Sequence, residues 1–239
     1  MSPFAAKALS HSIIVHPEPY QDDHRYLEYC FQNEPRKGFF KGTCLFDAFD
    51  PQTPARMADL LKKWPNRIAA LRVHSTNAKV TNSGPIRDRD LSDPRMAKTW
   101  AAAHSLGLAI QMHMTPMWAP AVDKLIARTP GVKVIIDHLS RPSQGTAAEY
   151  DAVLKLGRHP GVYMKFSGLS YTPAAALPDL SKRIHQAFGP EKIIWGGLGM
   201  NAAAYEKQKA LFESLWAPIT ARDRQRIRFD NAARLYKFS

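Results

Sequence analysis

Histidine, arginine and one acidic residue recur where short β-branched runs give way to loops. His16, His74, His113 and His138 each stand at or beside the end of such a run, Asp137 directly precedes His138, Arg72 lies two residues before His74, and Lys165 to Ser167 close a later run. Imidazole is the commonest transition-metal ligand and a base near neutral pH, so histidines at several strand ends suit either one metal ion or one bound oxygen substrate. A guanidinium fork grips a carboxylate bidentately, which makes Arg72 and Arg141 candidates for holding an anionic molecule. Each has an ordinary alternative. Nine histidines in 239 residues place some at strand ends by chance, a lone imidazole is more often satisfied by a backbone carbonyl than ligated, and an arginine is commonly solvated or ion-paired. His24, His104, His159 and His185 fall in helical or turn segments and read as surface or packing residues.

Strand ends need strands. Short apolar runs alternate with longer helical patterns along the whole chain, as expected of parallel strands joined by helical crossovers. The pattern predicts strands over 12–16, 42–46, 68–73, 108–113, 133–137, 162–166 and 192–195. It predicts helices over 22–31, 54–63, 94–106, 118–128, 146–156, 180–188 and 203–215, and a last helix over 222–236. Thr53 before Pro54 and Asp93 before Pro94 mark helix starts, and Gly107, Gly131 and Gly189 follow helix ends. No Gly-, Ser- or Pro-rich linker divides the chain, so residues 1–239 read as one domain. In barrels of this rhythm the reactive groups sit at the C-terminal ends of the strands. Seven strand–helix units are visible where a closed barrel takes eight, and the stretch before Ser12 leaves no room for another.

Hydrophobic residues make up 45% of the chain and charged residues 23%, a composition that builds a sizeable core. The formal charge of +12 is spread from Lys7 to Lys237 with one cluster, Arg222 to Arg228, interrupted by Ile227. That pattern reads as a solvated helix face rather than a nucleic-acid surface. Cys30 and Cys44 form no C-x-x-C pair and read as reduced thiols of a cytoplasmic protein. No run approaches the roughly 20 apolar residues that span a bilayer, and Met1 to Ser12 has no apolar core of a signal peptide.

Four segments in order carry a resemblance. Val134-Ile-Ile-Asp-His138-Leu-Ser-Arg-Pro142, Val162-Tyr-Met-Lys-Phe-Ser-Gly-Leu169, Glu191-Lys-Ile-Ile-Trp-Gly196 and Asp230-Asn-Ala-Ala-Arg-Leu-Tyr236 are similar to the sixth strand, the seventh strand, the eighth strand and the closing helix of the amidohydrolase-2 family. The resemblance runs in register from about His11 to the end. It implies a distorted TIM-type (β/α) barrel, short of its first strand–helix unit, that hydrolyses a lactone or a related carbonyl substrate. It matches His113 and His138 to the family's fifth- and sixth-strand histidines, as catalytic groups or as metal ligands, and Arg72 to an arginine that holds substrate in some lactonases. His74 and Arg141 join Arg72 as substrate-binding candidates. Relatives that use a metal usually hold zinc; some lactonases of the group work without one.

Two departures from the family pattern stand out. The first-strand His-x-His pair is absent, and His11 and His16 are too far apart to replace it. The eighth-strand Trp-Gly-Ser-Asp reads Trp195-Gly-Gly-Leu198 here, and an aliphatic Leu198 neither binds a cation nor takes a proton. Three accounts fit: a first strand encoded upstream of Met1, a subfamily in which Gly196, Gly197 and Gly199 form an anion-binding loop, or a degenerate barrel. The leading expectation is a hydrolase of a small, anionic lactone or related ester; the alternative is a catalytically inactive barrel that binds a small anion or a protein partner. A barrel open by one strand also predicts marginal stability or a homo-oligomer that covers the gap.

Overall fold

A computed structural model describes residues 9–76, 86–197 and 202–238. The strands are β1 (Ser12–Val15), β2 (Phe40–Leu45), β3 (Ile68–Ser75), β4 (Ala109–Met114), β5 (Val134–Ile136), β6 (Val162–Phe166) and β7 (Ile193–Trp195). Their order in the sheet is the order of the sequence, β1 to β7. The helices are α1 (Arg25–Gln32), α2 (Thr53–Lys63), α3 (Pro94–Ser105), α4 (Ala119–Arg128), α5 (Ala147–Lys155), α6 (Leu177–Phe188), α7 (Ala202–Leu215), α8 (Ala221–Gln225) and α9 (Asn231–Leu235). Among the described residues no helix is long and apolar enough to cross a membrane.

The expected elements are present, with shifts at their ends. β3 continues through Ser75, so His74 lies within the strand, past the predicted end at residue 73. The last helix is three pieces: one π-helical turn over Arg226–Asp230 separates α8 from α9. Asp93 caps α3 by accepting from the Arg95 amide at 2.8 Å. Thr53 is instead the first residue of α2, and its hydroxyl donates to the Asp47 carbonyl. Gly107, Gly131 and Gly189 all have positive φ, as residues that follow a helix end require.

The chain forms two compact units. One comprises Leu9–Met114 and Pro120–Val134. In it β1 to β4 pair in parallel, and their runs are almost wholly buried from β2 onward, as strands covered on both faces are. Trp100, Met96, Met57, Leu71 and Ile110 fill the space beneath α2 and α3. Polar pegs are embedded in this core. His24, at the start of α1, accepts a hydrogen bond at Nε2 from the Leu45 amide at 3.1 Å and lies 4.7 Å from the Phe46 ring. Burial, with the neighbouring His16 second, pushes its pKa down from 6.5 to about 4.

The other unit comprises, among the described residues, Thr115–Ala119, 135–197 and 202–238. β6 and β7 pair in parallel over an aromatic cluster in which Phe166 lies 5.1 Å from Trp216 and 6.4 Å from Phe212. Asn231 fastens α9 to the approach and start of β7. Fully buried, it donates through Nδ2 to the Pro190 carbonyl at 2.6 Å and the Ile193 carbonyl at 2.8 Å, and accepts at Oδ1 from Arg234 at 2.9 Å. The basic cluster is drawn into ion pairs: Arg226 with Asp223 and Glu191, Arg228 and Arg224 with Glu213.

Asn231→Ala strands two carbonyls and is expected to lower unfolding free energy by about 2–3 kcal/mol, read as a shift in denaturant midpoint; an unchanged midpoint contradicts the fastening role. His24 binds protons more readily unfolded than folded. Stability is therefore expected to be full above about pH 6.5 and to fall by up to about 3 kcal/mol as pH drops through the window down to about 4. His24→Gln, which keeps an acceptor for Leu45, should flatten that fall in unfolding measured at pH 7 and pH 4.5, and an equal slope in both proteins would refute the assignment.

Candidate functional site

Parallel register sets the first cluster. β3 and β4 pair Arg72 with Gln111 and His74 with His113, and the two-residue period of a strand turns all four toward one face. The rings of His74 and His113 meet edge to face, 4.8 Å between centroids. Arg72, buried with both histidines, donates through Nη1 to the His16 carbonyl at 3.1 Å and lies with Nη2 3.3 Å from Nδ1 of His113. A guanidinium can only donate, so that nitrogen of His113 carries the lone pair and the ring proton sits on Nε2. His16 is fully buried, donates through Nε2 to the Gln21 carbonyl at 2.9 Å, and stacks 4.7 Å from His24. Burial, despite the bond to Gln21, holds its pKa below the usual value and keeps it neutral.

A shallow recess opens beside this cluster, lined by Arg72, His74, Arg87, Arg89, Leu45 and Phe46 among others. The three guanidiniums differ in what they offer. Arg89 is almost fully buried and held by Asp47 through two bonds of 3.1 and 3.0 Å. Burial works most strongly against the Asp47 carboxylate, but the bond to Arg89, the Phe49 amide and the charges of Arg89 and Arg95 together outweigh it and keep its pKa below the ordinary range, so Asp47 and Arg89 form a paired couple. Arg87 is half exposed, 4.0 Å from Glu18. Arg72 meets the His16 carbonyl and the His113 ring and lines the same recess, where a guanidinium fork suits a carboxylate.

The second cluster lies in the other unit, after β5 and β6. Asp137 is fully buried and pairs with Lys165 at 3.1 Å. His138, Leu139, Ser140 and Arg141 follow with φ of 53, 54, 59 and 50°. Four consecutive non-glycine residues in the left-handed region cost about 1–2 kcal/mol each, and such strain persists where the surroundings over-determine the backbone. Leu139 and Ser140 are fully buried. Ser167 Oγ lies 3.0 Å from His138 Nδ1, and the Tyr171 ring meets the imidazole edge to face at 5.8 Å. Gly168 makes room: its φ is +63°, and a Cβ there would stand 2.7 Å from His138 Nδ1. Arg141 is half-buried and stacks on Tyr171 at 4.4 Å.

The sequence-predicted residues thus fall in two groups. Arg72, His74 and His113 are brought together, with His16 against them. His138 is placed with Asp137, Lys165 and Ser167, and Arg141 reaches that group through Tyr171. Leu198 and Gly199 lie outside the described residues. His24 is the packing residue its position suggested, whereas the Asp47–Arg89 pair, Gly168 and Tyr171 carry no sequence signal of their own. Ser167 had one: it stands two residues after Lys165, and a strand turns both to one face.

Among the described residues no group of three or more His, Cys, Asp or Glu is placed to hold a metal ion. The donors that do meet do not suit one either. The Nδ1 of His113 accepts a hydrogen bond from the Arg72 guanidinium, whereas a ligating histidine normally gives its second ring proton to an acceptor.

Comparison with known proteins follows the same lines. Over 115 residues the chain is 31% identical to an L-fucono-1,5-lactonase of Burkholderia ambifaria, a match spanning 44% of the chain and 39% of the length of that relative. A solved structure of a putative 2-pyrone-4,6-dicarboxylic acid hydrolase from Pseudomonas putida superposes with a TM-score of 0.78 at 20% identity, covering 98% of this chain and 85% of that one. A Burkholderia multivorans amidohydrolase with bound zinc gives 0.78 at 20%, over 99% and 86%. At such identities the likeness speaks for the fold, the α/β architecture of TIM-type amidohydrolases. A family model described as amidohydrolase matches residues 3–238, nearly the whole sequence that supplies these strands and strand-end histidines, and the chain belongs to that family.

Proposed function

We propose that the protein is a hydrolase of small, anionic lactones or related esters, its residues 1–239 acting as one barrel domain with seven strand–helix units among the described residues. The observation that carries the reading is the contact between Arg72 and His113 at the end of paired strands: a buried cation beside a recess, donating into an imidazole whose remaining proton faces away from it. The similarity to a lactonase and to a structure named as a pyrone-dicarboxylate hydrolase supports it.

In this reading a carboxylate of the substrate is drawn to Arg72 and oriented with His74, while the Nε2–H of His113 donates to the carbonyl oxygen. That bond strengthens as water adds to the carbonyl carbon and negative charge collects on the oxygen. The ring C–O bond then breaks, and the leaving oxygen takes a proton to give a hydroxy acid. His138 is assigned the same carbonyl-polarising role in its own unit, and Arg141 a substrate-orienting one, on their strand-end positions.

The test is a screen of lactones and esters with the wild type, His113→Ala, His138→Ala and Arg72→Lys, each first checked for an unchanged melting midpoint. Either alanine variant is expected to lower kcat on the order of 10²-fold, the usual loss of one oxyanion donor. Arg72→Lys keeps the charge but loses the fork and is expected to raise KM. If neither histidine variant altered turnover of any substrate found, the reading would be abandoned.

A further inference from the structure

The geometry of Ser167 beside His138 decides how that histidine presents itself. We infer that Ser167 is a positioning residue: its hydroxyl donates to His138 Nδ1 and thereby holds the ring neutral, with its proton on Nε2. The inference rests on the proposed reading only in taking His138 to meet the substrate.

Ser167 is 2% exposed and its Oγ lies 3.0 Å from Nδ1. A hydroxyl has one proton to give. Were Oγ to accept from an Nδ1–H instead, its own proton would be buried with no acceptor among the described residues, a cost of about 1–3 kcal/mol. Donation into Nδ1 avoids that cost and leaves the imidazole proton on Nε2.

The surroundings keep the pair in register. The Asp137–Lys165 ion pair of 3.1 Å ties the residue before His138 to the residue two before Ser167. Gly168 lies directly against the imidazole, so close that a Cβ would stand 2.7–2.8 Å from Nδ1, Cβ and Cγ of the ring. Tyr171 meets the ring edge to face at 5.8 Å, and the backbone from His138 to Arg141 is left-handed. The result is an Nε2–H donor, the form that stabilises a developing oxyanion. It is neither the form that takes a proton at Nε2 nor the one that ligates a metal there. Arg72 imposes the same tautomer on His113 by a different donor.

Nitrogen NMR of protein labelled on its histidine rings tests this without any substrate, with His138→Gln used to assign the signals. The wild type should show a protonated Nε2 and an unprotonated Nδ1 at His138. Ser167→Ala should give a tautomer mixture, and Ser167→Thr, which restores the hydroxyl, should return the wild-type pattern. Where a substrate is in hand, Ser167→Ala should lower kcat about 10-fold or more with little change in KM. A wild-type spectrum with the proton on Nδ1, a charged ring or a metal on Nε2 overturns the inference, as does an unchanged pattern in Ser167→Ala. If the alanine variant fails to fold, the wild-type and threonine spectra still decide. Failure of the hydrolase reading would show as absent turnover and leave the spectra untouched.

Discussion

A polar side chain taken out of water must find its hydrogen bonds inside the protein or lose several kcal/mol. This chain buries many of them at strand ends: His16, Arg72, His74, Gln111 and His113 in one unit, Asp137, His138, Ser140 and Ser167 in the other. Their mutual arrangement follows from that requirement. Arg72 is tolerated because a carbonyl and an imidazole nitrogen receive its protons, Asp137 because Lys165 reaches it, and His24 because the Leu45 amide points at its lone pair. The same bonds that make burial affordable also fix which ring nitrogen carries a proton, and so what each histidine can do.

Strain is concentrated at one of these places. The run from His138 to Arg141 holds four side chains in a backbone region that L-residues avoid, immediately after the buried ion pair of Asp137. The neighbouring strand end answers with Gly168, itself at positive φ and without the Cβ that would collide with the imidazole. Substituting a larger residue there is costly twice over, in conformation and in space, which gives the Ser-Gly pair after β6 a physical reason to be serine and glycine.

Much of the fold was legible in the sequence because strand and helix write themselves locally. Val162 to Phe166 is a strand with the predicted bounds, and Pro94 with Asp93 before it starts a helix where its cap says it should. The bounds drifted where tertiary pairing extends or divides an element. β3 runs on to Ser75 because β4 supplies partners as far as Met114, and the final helix is divided by a π-helical turn beside Asn231.

The candidate site was legible as a set of residues and not as a set of relations. Sequence by itself determined that His113, His138, Arg72 and His74 stand at strand ends, because their spacing from apolar runs is a property of the chain alone. Only the tertiary structure decided that Arg72 donates into His113, that Ser167 meets His138, and that Arg89 pairs with Asp47. These partners are 41, 29 and 42 residues apart, and a hydrogen bond depends on distances of tenths of an ångström that strand register and buried packing set, whereas local residue preference does not.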